Sequence, residues 1–86
     1  MLQKSFLVKN KTGLHARPAS IFIRTANKYK CDIRLKKGDQ EIDAKSMISL
    51  LSLGVGQGTT IKIITSGEDE EAAMNELMQL LESFSD

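Results

Sequence analysis

The chain has 86 residues, 41% of them apolar and one of them a cysteine, so it can form one modest core and no internal disulfide. Twelve basic and eleven acidic residues leave a net charge of +1, which disfavours direct nucleic-acid binding because that depends on a strong positive field. No apolar run approaches the roughly 18 residues of a membrane span, and the apolar start is too short for a signal peptide. We expect a single cytoplasmic domain over 1–86 that does not contact a membrane.

The first half of the chain predicts a strand, a helix and a hairpin. Residues 5–9 alternate between apolar and polar side chains, as in a half-buried strand. Over 16–29, apolar residues recur on one helical face. Alternation resumes over 31–45 on both sides of a turn at Gly38, which indicates a hairpin with Cys31 as a core residue.

The second half predicts a short helix, a strand and a closing helix. The short helix lies over 46–54, between a capping serine and a terminating glycine. Residues 59–65 are rich in β-branched side chains, and 67–84 combine an acidic first turn with an apolar stripe. The order β-α-β-β-α-β-α favours an α+β open-faced β-sandwich, in which helices cover one face of a four-stranded antiparallel sheet.

The stretch TGLHARPA, between the first strand and the first long helix, contains the only histidine and the only proline. Gly13 supplies backbone freedom for a tight turn. Pro18 suits the first helical turn, where its missing N–H removes a donor that has no intrahelical partner. His15 is therefore predicted at the start of a helix.

A helix start is a favourable place for a phosphoryl group. If Ala16 is the first helical residue, the amides of Ala16 and Arg17 are free to bind an anion. The positive helix end favours a neutral His15 imidazole with a nucleophilic nitrogen. Arg17 can reach a phosphoryl group on that nitrogen. Together these residues could form and hold a phosphohistidine.

Other interpretations of His15 remain at this point. It could be a helix cap or a surface-loop residue, because single histidines rarely indicate catalysis. A metal site is poorly supported, since one histidine and one cysteine are too few ligands. Hydrolase chemistry is disfavoured because no acid lies near His15 in the sequence. We expect no metal and no cofactor.

Two segments resemble the signatures of the HPr family, the histidine-containing phosphocarriers of the phosphoenolpyruvate-dependent sugar phosphotransferase system. TGLHARPAS resembles the active-site segment, and AKSMISLLSLGVGQG resembles the segment around the regulatory serine. The resemblance covers nearly the whole chain. It implies a carrier, not an enzyme, in which enzyme I phosphorylates Nδ1 of His15 and enzyme IIA domains receive the phosphoryl group. We expect the protein to be a monomer.

The resemblance also assigns two further residues. Arg17 corresponds to the phosphate-contacting residue of the family. Ser46 corresponds to the serine that an ATP-dependent HPr kinase/phosphorylase modifies in Gram-positive bacteria, where the modified protein binds a catabolite-control repressor. This chain has Ser49 where the family commonly has glycine, and the order of Met47 and Ile48 is the reverse of one frequent version. A sister group of regulatory HPr-like proteins lacks the active histidine, so His15 argues against membership of that group.

A partner-docking surface is predicted around the short helix. Its apolar residues cover more than one helical side, so Met47, Ile48 and Leu51 are candidates for exposure. A basic rim that would steer acidic partners is predicted from Arg17, Arg24 and Lys28 on the first long helix and Lys45 before the short one. The alternative is that the apolar residues belong to the core and the basic residues form a solvated face.

Three other functions can be weighed from the residues. A regulatory binding module would use the Ser46 surface and leave His15 unmodified. A phosphocarrier outside sugar uptake would use His15 with different partners. An RNA-binding α+β domain is disfavoured, because such domains present strand aromatics to bases and the predicted strands offer only Phe6.

Overall fold

The computed structural model of the protein describes residues 1–85, and Asp86, the last residue of the predicted 1–86 domain, lies outside the described residues. The predicted element order is confirmed. The elements are β1 (Leu2–Leu7), α1 (Ala16–Ala26), β2 (Asp32–Lys37), β3 (Gln40–Asp43), α2 (Met47–Leu53), β4 (Thr60–Ser66) and α3 (Glu70–Ser83). Within the described chain, no helix is long and apolar enough to cross a membrane.

The four strands form one antiparallel sheet in the order β1-β4-β2-β3. Every second side chain of the central strands is buried, including Ile61 and Ile63 of β4 and Ile33 and Leu35 of β2. These residues form one core with the apolar faces of the helices, because strand side chains alternate between the two faces of a sheet. The other face carries no helix, so the predicted open-faced sandwich is confirmed.

Several predicted boundaries differ from the structure by a few residues, those of β1 and α1 among them. The first strand spans Leu2–Leu7 and not 5–9, because pairing with β4 begins at the Leu2–Thr65 pair. Helix α1 ends at Ala26 and not at 29. The Asn27 side chain donates to the Ile23 carbonyl at 2.8 Å and to the Lys45 carbonyl at 3.2 Å, which joins the end of α1 to the segment before α2.

Polar contacts connect α3 and its N-cap to the segment between α1 and β2. Glu76 accepts hydrogen bonds from the Tyr29 hydroxyl and from Lys28 Nζ, and the bond from Tyr29 raises the pKa of that phenol to about 12. Cys31 is buried as predicted. Its burial and the nearby Asp69 carboxylate raise the pKa of the thiol to about 11, which makes this cysteine an unreactive core residue.

Candidate functional site

His15 is the N-cap residue of α1, which confirms the predicted helix start at Ala16. Its backbone is extended and its carbonyl accepts the Ala19 N–H at 2.8 Å, while its exposed side chain makes no capping hydrogen bond. The first helical amides, those of Ala16 and Arg17, have no partner within the helix, and Pro18 has no N–H. The imidazole and two helix-terminal donors therefore lie at the same surface.

The turn before His15 is fixed by contacts on both of its sides. Asn10 is buried, and its side chain donates to the Gly13 carbonyl at 2.8 Å. The Leu14 N–H donates to the Val55 carbonyl at 2.9 Å. Gly13 has φ of +61°, and a Cβ there would lie 2.3 Å from the Val55 oxygen. Only glycine fits this close approach between the two loops.

His15 borders two open grooves. The first lies between the start of α1 and the end of α3 and is lined by Thr12, His15, Ala16, Arg17, Pro18, Ile21, Ser83, Phe84 and Ser85. The second runs toward α2 and is lined by Thr12, Leu14, His15, Ala16, Leu51, Gly54, Val55 and Gly56. Arg17 thus shares a groove with His15, and Leu51 shares the other.

Helix α2 presents part of its apolar surface to solvent, as predicted. The Ile48 side chain is 79% exposed and that of Leu51 is 43% exposed, whereas Leu50 and Leu53 are buried. Met47 is only half-buried but packs against the core. The exposed apolar surface of α2 therefore consists mainly of Ile48 and Leu51.

The predicted basic rim divides into two pairs of residues. Lys28 is bound to Glu76 at 2.6 Å, and Lys45 Nζ donates to the Tyr29 carbonyl at 2.6 Å. The exposed side chains of Arg17 and Arg24 make no hydrogen bond or ion pair to any residue within 1–85. Arg17 and Arg24 are thus the rim residues whose charged groups are not already bound to another part of the described chain.

Comparison with known proteins assigns the chain to a family. The family model described as "PTS HPr component phosphorylation site" matches residues 2–83. The chain belongs to the PTS HPr family. Phosphotransferase-system membership and the HPr fold, both implied by the two signature segments, are therefore confirmed.

Relatives in this family include both HPr and HPr-like proteins. The chain is 44% identical over 82 residues to the HPr-like protein Crh of Halalkalibacterium halodurans, covering 95% of this chain and 98% of that protein. It is also 44% identical to HPr-C-His from Thermoanaerobacter tengcongensis, whose crystal structure matches with a TM-score of 0.94 over 96% of this chain and 93% of that one. Overall identity therefore does not separate the two kinds of relative.

The solved HPr structures also include a dimer. The HPr dimer from Thermoanaerobacter tengcongensis matches with 44% identity and a TM-score of 0.78, covering 96% of this chain and 95% of that one. The expectation that this protein is a monomer accordingly stays a prediction.

The segment that resembles the second HPr signature has a regular helix cap at its serine. Ser46 is the N-cap of α2, and its half-buried Oγ accepts the Ser49 N–H at 3.3 Å. The bond uses the backbone of Ser49, so the departure from the family's usual glycine leaves the cap intact. No residue other than glycine has positive φ anywhere in 1–85, so Ser49 fits the helix without backbone strain.

The end of α3 is the part of this HPr site that sequence reasoning missed. Ser83 and Phe84 line the first groove beside His15. The apolar stripe indicates where α3 ends but carries no information on which neighbour that end meets. A partial signal was available, because a closing helix that packs antiparallel on α1 brings its C-terminus to the N-terminus of α1.

Proposed function

We propose that this HPr-family protein accepts a phosphoryl group on Nδ1 of His15 from phosphorylated enzyme I and passes it to enzyme IIA domains. The observation that carries the proposal is the exposed His15 side chain at the N-cap of α1, unused as a cap and sharing a groove with Arg17. The protein would act as a cytoplasmic carrier. The phosphoryl group that it receives from one protein is passed to another, so the carrier itself is unchanged after each cycle.

The proposed chemistry needs only a nucleophile and fixed positive charge. The lone pair of neutral Nδ1 attacks phosphorus, the bond from phosphorus to the donor protein breaks, and the proton on Nε2 stays in place. The helix-terminal amides of Ala16 and Arg17 can stabilise the phosphoryl oxygens, and the Arg17 guanidinium can stabilise charge on the group in transit. Transfer to the acceptor repeats the displacement with the imidazole as leaving group.

The direct test is incubation with enzyme I and phosphoenolpyruvate, followed by mass measurement. One phosphoryl group is expected on the wild-type protein. It should be lost in acid and survive alkali, as a phosphoramidate does and a phosphoserine does not. His15→Ala should take up none, whereas the matched variant Ser46→Ala should be phosphorylated normally. Uptake of an acid-labile group by His15→Ala would contradict the assignment.

Arg17 and Arg24 allow transfer to be separated from docking. Both side chains are exposed and free of partners within 1–85, but only Arg17 borders the His15 groove. Arg17→Ala should slow single-turnover transfer to enzyme IIA at saturating partner by about tenfold or more. Arg24→Ala should mainly weaken docking. If Arg17→Ala transfers the phosphoryl group at the wild-type rate with saturating enzyme IIA, Arg17 takes no part in the transfer step.

A second proposed role is regulation through Ser46. The observation in its favour is the position of this hydroxyl at the N-cap of α2, next to the exposed Ile48. An HPr kinase/phosphorylase would modify Ser46, and the modified surface, with Met47, Ile48, Leu51, Arg24, Lys28 and Lys45 around it, would bind a catabolite-control repressor. Fluorescence anisotropy should detect repressor binding by the kinase-treated protein and not by kinase-treated Ser46→Ala.

The alternative is an HPr-like protein that is only regulatory, which the 44% identity to Crh keeps in view. His15 separates the two hypotheses, because the regulatory sister group lacks that histidine. Kinase modification of Ser46 without any phosphoryl uptake from enzyme I would favour the regulatory module. Uptake from an enzyme I of a different, non-sugar branch would favour a carrier of that branch.

A further inference from the structure

The open face of the sheet carries a polar row that the carrier function does not use. Ser5 of β1 is paired with Lys62 of β4, and Lys62 is paired with Lys36 of β2. The neighbours of Lys62 in β4, Ile61 and Ile63, are buried beneath the helices. Since side chains alternate along a strand, Ser5, Lys62 and Lys36 all lie on the face without helices.

Lys36 and Lys62 are like charges placed directly opposite each other. Both side chains are half-buried, and neither forms a hydrogen bond or ion pair with any residue in 1–85. Directly opposed like charges destabilise an antiparallel pair. Glu41, which faces Lys36 from β3, is bound instead by Arg34, with Nε and Oε2 3.3 Å apart. Two half-buried lysines are therefore left without a counter-ion in the described chain.

A small concavity lies at these lysines. It has a volume of about 200 Å³ and is lined by Ser5, Lys36, Gly38, Thr60, Ile61 and Lys62. Pockets for drug-sized ligands begin at roughly 300 Å³ and are lined mainly by apolar and aromatic side chains. This one is smaller, has no aromatic residue, and combines two ammonium groups with two hydroxyls. Such a donor set suits a small anion with several acceptor oxygens.

We propose that this concavity binds a phosphate dianion, either free inorganic phosphate or the phosphate of a small monoester. A dianion between Lys36 and Lys62 would replace their repulsion with two charge-assisted hydrogen bonds. The hydroxyls of Ser5 and Thr60 would donate to the remaining oxygens. The site goes beyond the proposed carrier function, and it shares no lining residue with either groove at His15.

The test is a titration of the ¹⁵N-labelled protein with inorganic phosphate, followed by amide NMR shifts, against sodium chloride at matched ionic strength. Saturable shifts are expected at Ser5, Thr60 and Lys62 with phosphate and not with chloride. Lys62→Gln and Lys36→Gln should each weaken phosphate binding by about tenfold or more. Lys4→Gln is the matched control. It removes an exposed lysine from the same sheet but from the opposite face, so phosphate binding should be unchanged.

A second titration with glycerol phosphate separates the two sources of the ligand. Binding as tight as that of inorganic phosphate would add monoesters to the ligands, and binding of inorganic phosphate alone would restrict the site to the free ion. The absence of saturable shifts at the open face would overturn the proposal. So would equal shifts in chloride, or shifts confined to Ala16 and Arg17 that disappear in Arg17→Gln.

Discussion

Gly13 is tightly constrained in the loop before His15. A methyl group there would lie 2.3 Å from the Val55 oxygen and 2.7 Å from Gly56 Cα. Both are backbone atoms, so neither can rotate away, and φ of +61° is unfavourable for alanine as well. Gly13→Ala should therefore destabilise the protein and displace His15, so that urea midpoints and the rate of phosphorylation by enzyme I both fall.

Gly38→Ala is the matched control for this prediction. Its φ of +59° is almost the same, but nothing lies within 4 Å of the position that a Cβ would occupy there. Gly38→Ala should destabilise by about 1 kcal/mol from the backbone conformation alone, and Gly13→Ala by about 2 kcal/mol more because of overpacking. Equal urea-unfolding free energies for the two variants would mean that the contact with Val55 relaxes freely.

The two glycines also show which features of single residues could be predicted from the sequence. A turn at each was predictable, because glycine beside polar residues is a local signal. The contact between Gly13 and Val55 was not, since it joins residues far apart in the chain. The same holds for Lys28 and Lys45: their charges were visible in the sequence, but Glu76 and the Tyr29 carbonyl, which hold them, are known only from the fold.

At the scale of elements, α2 has one buried face and one exposed apolar face. Leu50 is fully buried and Ile48 is 79% exposed. Leu50→Ala should lower the free energy of unfolding by about 2–5 kcal/mol. Ile48→Gln should change it by less than about 0.5 kcal/mol and yet weaken docking of enzyme I. Urea unfolding measures the change in stability. The KM of enzyme I for this protein measures the change in docking. A normal KM for Ile48→Gln would exclude this side chain from the docking surface.

The N-cap of α3, Asp69, is bound to the segment before β2 through its carboxylate, and the effect of this carboxylate on stability depends on pH. Asp69 accepts the amides of Lys30 and Cys31, each at 2.9 Å. These bonds lower the pKa of Asp69 below its ordinary 3.8. The stabilisation is therefore fully present above that value and is lost as pH falls through the lower folded-state pKa. Asn can accept only one of the two bonds, so Asp69→Asn should be less stable at neutral pH.

The measurement is urea unfolding of wild type and Asp69→Asn in steps from about pH 7 down to about pH 3. The difference in free energy of unfolding between the two proteins should be constant near neutral pH. It should become smaller as the pH falls below 3.8, the ordinary pKa of aspartate. Asp39→Asn, at the exposed hairpin turn, is the control and should show little difference at any pH. If the difference in free energy of unfolding between wild type and Asp69→Asn does not depend on pH, the lower stability of the variant comes from side-chain shape and not from charge.

At the scale of the whole molecule, the two signature segments meet at one surface. Periodicity and capping residues sufficed to predict the element order, because each signal is local. The meeting of α3 with His15, and of Leu51 with His15, depends on how the helices pack and was outside the reach of periodicity. This packing matters for the proposed function, since it brings α2, whose N-cap is Ser46, to the groove beside His15.

Phosphorylation of Ser46 should therefore slow phosphorylation of His15. Leu51 follows the N-cap Ser46 by five residues, which is roughly 7.5 Å along the helix axis. A phosphate at Ser46 therefore lies within one Debye length, about 10 Å at 0.1 M salt, of a side chain that lines the His15 groove. It adds about −1.5 to −2 charges beside Ile48, and an acidic enzyme I surface would meet both repulsion and a desolvation penalty. The rate should fall by about tenfold or more at low salt and partly recover as salt increases.

The experiment compares kinase-phosphorylated protein, Ser46→Asp and Ser66→Asp over a range of salt. Ser46→Asp carries one negative charge and should show a smaller decrease than the phosphorylated form. Ser66→Asp adds the same charge at the exposed end of β4, away from the residues that line the His15 grooves, and should behave as wild type. An unchanged rate for the phosphorylated form at low salt would remove Ser46 from the docking surface. Loss of the folded circular dichroism spectrum would identify unfolding, and not electrostatic repulsion, as the cause of the slower transfer.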